Sequence, residues 1–458
     1  MSGDVFVSHD ILMSRPVYVI VGAGHAGRRA VESFREQAPE AHVVLIGEEP
    51  DHPYDRPVLS KDALITLEGE HKAFIKSRDW YIEQGVDLRL GVRVSKIDRV
   101  ARSLVLVDHF GNHSTLSYHR LLLTTGSRVR HFGGTLDANV PVHYVRTIAD
   151  TRRLRTALTA GKRIGVIGGG FIGLEVAASA RTLGCQVTLI EPALQLLQRS
   201  MPAAVSNAIY ALHIHHGVGL RLATSATALR LKPDGTIEIT LAKLQAPDLR
   251  VDGIAAPSSK SSLKSNVESS SNSSAEEVTT LSVDTVVVGI GVVPNVELAA
   301  EAGLAVDNGI VVDGKCRTAD PFIFAAGEVS NHFNPLLGRS LRIESWQVAE
   351  NQPAVAVTNM LGGDASYSEV PWLWSDQYET NIQTLGIFET NDLIVVRGQT
   401  DGSAFSVLSV DASGKLKAVA TVNNGRDMAV FRRLMQRGIS APVARWCDTA
   451  VSLRDLLK

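Results

Sequence analysis

Gly22-Ala23-Gly24-His25-Ala26-Gly27 stands between a short apolar run, Val17–Val21, and a stretch, Arg28–Gln37, that can form a helix ended by Pro39. A second apolar run, His42–Ile46, follows. Strand, glycine turn, helix and strand in that order form the opening of a βαβ unit. The three glycines have separate duties: one makes the turn, one lets backbone approach a pyrophosphate, and one packs helix on strand. A helix beginning here offers free N–H groups and the positive end of its dipole to phosphate. The pattern is completed by an acid at the end of the second strand, which accepts from ribose hydroxyls. Glu48 lies 21 residues after Gly27 and fills that place.

The same grammar returns further on. Strand Arg163–Ile167 leads into Gly168-Gly169-Gly170-Phe171-Ile172-Gly173, a helix runs to about Leu183, and strand Gln186–Ile190 ends on Glu191, 18 residues after Gly173. A carboxylate there suits an unmodified ribose and repels a 2′-phosphate. The first cation beyond it is Arg199, so the spacing favours NADH over NADPH. The two turns are 146 residues apart, more than one helical crossover needs, and therefore imply two dinucleotide-binding domains. Two such sites in one chain are explained economically by a flavin held in one and a nicotinamide visiting the other, so that hydride can pass between them.

Leu104–Val107, Leu121–Thr125, Val283–Gly289 and Ile323–Ala326 read as further strands. From Ser340 the pattern changes: Trp372 and Trp374 alternate, and Leu393–Val396, Phe405–Val410 and Leu416–Val422 read as antiparallel strands. The expected fold class is α/β, with two Rossmann-like domains and a C-terminal α+β interface domain. Residues 16–127 with 292–339 are expected to form the first domain, 128–291 the second and 340–458 the third. Ser occupies ten of the seventeen positions 258–274, too few apolar groups to offset ordering entropy. This predicts a disordered insert over about 246–278, in a hairpin between the strand around Ile237–Leu241 and the one starting near Val283.

Composition narrows the function. The 458 residues carry 46 Lys+Arg against 48 Asp+Glu, without the basic excess of a nucleic-acid binder. No uncharged apolar run approaches the ~18 residues of a membrane span, and the first fifteen residues lack the form of a signal peptide. A cytoplasmic location is expected. Cys185, Cys316 and Cys447 show no CxxC spacing, so neither a local redox disulfide nor a metal knuckle is expected. His213, His215 and His216 lack matching acid or thiol ligands and read as surface or helix-capping residues rather than a metal site.

Pro53-Tyr54-Asp55-Arg56-Pro57-Val58-Leu59-Ser60-Lys61 resembles the PYxRPxLSK segment of oxygenase-coupled ferredoxin reductases. Thr124-Thr125-Gly126-Ser127, Gly289-Ile290-Gly291 through Pro294-Asn295, Glu344-Ser345-Trp346-Gln347 and Pro371-Trp372-Leu373-Trp374-Ser375-Asp376-Gln377 carry the same resemblance. That family lies within the glutathione-reductase-like flavoproteins, and the likeness runs from about Val17 into the C-terminal domain.

The resemblance implies FAD and NADH as cofactors and a two-iron ferredoxin, or rubredoxin, as electron acceptor, with no nucleic-acid or membrane partner. It is compatible with a monomer or a homodimer. The implied FAD contacts are Gly22, Gly24, His25, Ala26, Gly27, Glu48, Arg56, Lys61, Thr125, Gly126, Glu328, Val329 and Trp346. For NAD they are Gly168, Gly170, Phe171, Ile172, Gly173, Glu191, Arg199, Gly289, Ile290 and Gly291. The implied catalytic residues are Lys61 beside the flavin ring, Glu175 as its ion-pair partner, and Trp346 against the ring or the nicotinamide. Glu328 departs from the family pattern, which has Asp after Gly327. With no cysteine between Arg56 and Lys61, electrons are expected to leave singly to an outside carrier or as hydride to a small quinone-like substrate. Rubredoxin, monodehydroascorbate and quinone reductases, and a scaffold like apoptosis-inducing factor, are the rival readings. Arg128, Arg130, Arg152, Arg153 and Arg155 form a basic stretch, read as a solvated face with ferredoxin docking as its functional alternative.

Overall fold

The structure, a computed structural model, describes residues 16–244 and 278–457. Most of the serine-rich segment lies outside the described residues. The chain divides into two compact units, one of residues 16–54, 74–127 and 294–369, the other of 55–73, 128–293 and 370–457 less the undescribed residues.

The first unit is built on a parallel sheet in the order Ile323–Ala325, Arg120–Leu123, Val17–Val21, His42–Gly47, Asp87–Leu90. Apart from Arg120 and His42 at their starts, its central strands are apolar because both faces are covered. Helices His25–Gln37 and Trp346–Met360 supply Val31, Phe34, Ala356, Val357 and Met360 to a core with Ile20, Val43 and Leu45. On the other face Ile97, Leu104 and Leu106 of a three-stranded antiparallel sheet meet Val19, Val44 and Leu121.

The second unit repeats the plan. Val142–His143, Thr285–Val288, Arg163–Ile167, Gln186–Ile190 and Gly219–Arg221 form its parallel sheet, and Phe171–Thr182 is the helix that follows the second glycine turn. An antiparallel hairpin joins Ile237–Lys243 to Val278–Val283, with Ala242 opposite Val278. The C-terminal sheet runs Trp372–Gln377, Thr380–Gly386, Leu416–Val422, Phe405–Val410, Leu393–Gly398, antiparallel throughout. Helix Met428–Gln436 seals it with Phe431 and Leu434.

Three expectations need correction. The strand read as Val283–Gly289 is two strands that meet at Asp284 and belong to different sheets. Asp284 accepts from the Arg163 backbone at 2.7 Å and from its guanidinium at 2.8 Å, which fixes the switch. The return strand of the hairpin begins at Val278, not near Val283. Residues 340–369, read from sequence as part of the C-terminal domain, belong to the first unit, because Ala356, Val357 and Met360 complete its core. Among the described residues, no helix is long and apolar enough to cross a membrane.

Candidate active site

Each glycine turn is shaped by backbone contacts that admit no side chain. Gly22 takes φ +117°, and a Cβ on it would lie 2.2 Å from the carbonyl oxygen of Thr124. Gly168 takes φ +112°, and its Cβ would lie 2.4 Å from that of Gly289. The last glycine closes each turn: a Cβ on Gly27 would meet Gly22 O at 2.1 Å, and one on Gly173 would meet Gly168 O at 2.0 Å. The helices they open begin at His25 and Phe171 without a side-chain cap and without an acid in the first turn. Thr66, Ser77, Thr147 and Ser345 cap other helices through their side chains. The two glycine helices thus leave their first N–H groups to an anion, and both cradles fit a dinucleotide pyrophosphate.

The acids differ. Glu48 is exposed at the end of its strand. Glu191 folds back on its own turn, accepting from Gly169 N at 2.5 Å and Ala193 N at 2.8 Å. Arg199 is exposed, and its guanidinium stands near Gly291, where a Cβ would lie 3.9 Å from it. Gly291 itself has φ +98°. Phe171 is half-buried, whereas Ile172 is 41% exposed at the mouth of the second turn.

Around the first turn the structure gathers most of the residues expected there. Thr125 Oγ1 donates to Asn295 O at 2.8 Å, Asn295 Nδ2 donates to Thr125 O at 2.8 Å, and Asn295 N donates to Gly126 O at 2.9 Å. Trp346 opens its helix half-buried, with its ring 5.2 Å from that of His25. His25 Nε2 lies 2.7 Å from Glu350, which also accepts from Arg28 at 2.6 Å. Burial works against the charge on Glu350, but His25 and Arg28 outweigh it and bring its carboxyl down to about 2. The half-buried Glu328 follows Gly327, whose N–H donates to Gln352 Oε1 at 2.8 Å; Ser330 Oγ donates to the same oxygen at 2.9 Å. Val329 is buried beneath it.

Arg56 and Lys61, expected in the first domain, lie instead in the second unit, where Glu175 was expected and is found. Segment 58–61 is pinned by Thr151 Oγ1 donating to Leu59 O at 3.1 Å and Ser179 Oγ donating to Ser60 O at 2.7 Å. This brings Lys61 Nζ to 3.3 Å from Glu175 Oε1, with Asp376 Oδ2 at 3.9 Å. Glu175 is only 5% exposed and also accepts from Ser60 Oγ at 2.5 Å and Ser375 Oγ at 2.6 Å. Burial pushes its carboxyl up, against Lys61, Ser375 and Ser60, which favour the charged form. The pair expected from the motif is therefore formed. Two hydroxyl donors that the motif alone does not reveal, Ser60 and Ser375, support it, although both stand inside the segments that carry the resemblance.

Some expectations around the site change. His213 is not a surface histidine: it is fully buried, with Nε2 2.8 Å from Gln377 Oε1. Its helix ends on His216, which stacks on Tyr378 at 3.6 Å, while His215 is exposed. The arginine stretch is not uniformly solvated either. Arg152 and Arg155 both bind the buried Glu70, which removes two of the five charges from any docking face. All three cysteines are unpaired. Burial pushes the thiols of Cys185 and Cys316 up, the opposite of what a reactive thiolate needs.

Two parallel sheets, each ending in an uncapped glycine helix and a strand-end acid, define a protein class that binds two dinucleotides in one chain. The family model described as pyridine nucleotide-disulphide oxidoreductase matches residues 16–353, and one described as reductase C-terminal matches 372–457. The chain belongs to the pyridine nucleotide-disulphide oxidoreductase family. It is 49% identical, over 97% of its length and 100% of the relative, to the anthranilate 1,2-dioxygenase system ferredoxin–NAD(+) reductase component of Burkholderia cepacia. It is 31% identical to the putidaredoxin reductase CamA of Pseudomonas putida, covering 96% of each chain. Among solved structures it resembles the ferredoxin reductase for the CYP199A2 system from Rhodopseudomonas palustris. That likeness has a TM-score of 0.83 and 30% identity, over 96% of this chain and 99% of the other.

Proposed function

We propose that this chain is an NADH-dependent, FAD-containing reductase of a two-iron ferredoxin that supplies an oxygenase, working in the cytoplasm. The observation that carries the reading is likeness over whole chains to ferredoxin reductase components, joined to two dinucleotide cradles in a chain without a thiol pair. Bound FAD would supply the chemistry of hydride acceptance from NADH and one-electron release to the iron–sulfur carrier.

The protein's own part is positioning and charge. Gly22, Gly24 and Gly27 admit the FAD pyrophosphate to the first helix N-terminus, with Glu48 for the adenosine ribose. Gly168, Gly170 and Gly173 do the same for NADH, with Glu191 taking the ribose hydroxyls and thereby disfavouring NADPH. Lys61 supplies a fixed positive charge to the reacting ring system, and Glu175 keeps that ammonium in place. Trp346 excludes water. No general acid or base is required, because a hydride and single electrons are transferred.

The test is anaerobic. The purified protein takes one equivalent of NADH and is then mixed with an oxidised two-iron ferredoxin while both chromophores are followed. Fast flavin bleaching, then flavin recovery as the ferredoxin bleaches, is expected. Fast flavin reduction with no transfer to any of several ferredoxins would overturn the carrier assignment in favour of a small-molecule acceptor.

A further inference from the structure

The Lys61–Glu175 pair is the end of a longer chain of hydrogen bonds. Ser375 and Gln377 are two residues apart on strand Trp372–Gln377, so their side chains leave the same face, and both are fully buried. An apolar pair would pack there without penalty, whereas buried polar groups must be hydrogen-bonded to be tolerated. These two are bonded in line. Gln377 Oε1 lies 2.8 Å from His213 Nε2, Gln377 Nε2 donates to Ser375 Oγ at 3.2 Å, and Ser375 Oγ donates to Glu175 Oε1 at 2.6 Å.

Chemistry sets the direction of the chain. An ionised carboxylate only accepts, so the Ser375 hydroxyl must donate to Glu175, the Gln377 amide to Ser375, and His213 Nε2–H to Gln377. With Glu175 protonated and the Gln377 amide flipped the chain could run backwards, but His213 would then carry its proton on Nδ1. That nitrogen is buried and has no hydrogen-bond partner among the described residues. An orphaned buried N–H is the worse arrangement, so the forward direction is preferred, and donors aligned toward one end reinforce each other.

We propose that Ser375, Gln377 and His213 are positioning residues that hold Glu175 as a carboxylate in the one orientation from which it fixes the Lys61 ammonium. The inference rests on the role given to Lys61 above. Other charged groups face the same site. Asp62, Arg181, His216, Asp376 and Glu379 line, with Lys61 and Glu175, a cavity of about 560 Å³, and each is left in place in the test.

Ser375→Ala, Ser375→Thr and Gln377→Leu would be compared with wild type in the holoprotein by two measurements. One is infrared titration of the protonated-carboxyl band of Glu175, identified by its loss in Glu175→Gln. The other is the pH profile of flavin reduction at saturating NADH. Ser375→Ala is expected to move the carboxyl titration up by about one pH unit and to slow flavin reduction about tenfold, as for loss of one hydrogen bond to a charge. Gln377→Leu should shift the titration in the same direction by less, and Ser375→Thr should restore wild-type values. If Ser375→Ala does not fold, Ser375→Cys keeps the volume with a weak donor and should give the same upward shift. An unchanged titration in Ser375→Ala, or in Ser375→Cys, would overturn the proposal. If the band moves but Glu175→Gln reduces its flavin as fast as wild type, the chain stands and the role of the ion pair in hydride transfer fails instead.

Discussion

The two glycine turns share one set of backbone contacts and differ in what surrounds them. Gly22 N donates to Ile46 O and Gly168 N to Ile190 O, both at 2.8 Å, and the closing glycine of each admits no Cβ. The first helix is then tied down by charge: Arg28, 4% exposed, lies between Glu32 and Glu350, and His25 joins them. The second helix opens on Phe171 and an exposed Ile172, and its strand-end acid, Glu191, is engaged by its own loop. One backbone device thus serves two purposes. A rigid, charge-clamped cradle suits a resident ligand, and an open cradle with a displaceable internal partner suits one that exchanges at every turnover.

The strongest way to break this comparison is to fill each turn. Gly27→Val should yield protein that has lost roughly all its flavin absorbance. Gly173→Val should stay yellow but bind NADH ~100-fold more weakly, since each places a Cβ against backbone. The opposite pattern in absorbance spectra and NADH titration would exchange the two assignments. Glu191→Ala should lower kcat/KM for NADH about 10- to 100-fold, the value of hydrogen bonds to a charged group, and narrow the preference over NADPH. Glu48→Ala should leave those kinetics unchanged and weaken flavin retention. Lys61→Ala should slow flavin reduction about tenfold in stopped flow while flavin occupancy stays at the wild-type level.

A smaller effect probes the clamp. The Glu350 carboxyl is held at about 2 in the folded chain, below the ~4.3 of an unfolded glutamate. A depressed acid contributes stability that is complete above the unfolded value and is lost as pH falls toward the folded one. Wild type should therefore lose about 1–2 kcal/mol between pH ~4.5 and ~2 that Glu350→Gln does not, allowing for partial exposure of the group. Equal acid sensitivity of the two proteins in denaturant titrations would remove Glu350 as the clamp.

Both turns were legible because local chemistry writes them: a backbone that excludes Cβ demands glycine at fixed spacing, and the acid must follow at the next strand end, whereas Lys61 stood out only through the resemblance of segment 53–61 to a known family. Residues 340–369 read as part of the C-terminal domain because nothing in the apolar face of helix Trp346–Met360 says which sheet it covers. Asp284 escaped for a similar reason, since an apolar run does not reveal that it changes sheets midway. His213 looked like a surface histidine because its partner, Gln377, is 164 positions away. Ser375 and Gln377 were in plain view within a quoted motif, but alternation alone could not say that their face is the buried one.

The hairpin between Ile237–Lys243 and Val278–Val283 has a practical use. Because Ala242 and Val278 are cross-strand partners, the chain joining them departs from and returns to neighbouring points of a finished sheet. Closing a longer connection there adds only about 0.6 kcal/mol per doubling of length. The hairpin is therefore an insertion port, where a tag, a reporter or a tethered ferredoxin could be spliced into the second unit without disturbing the register that supports its parallel sheet.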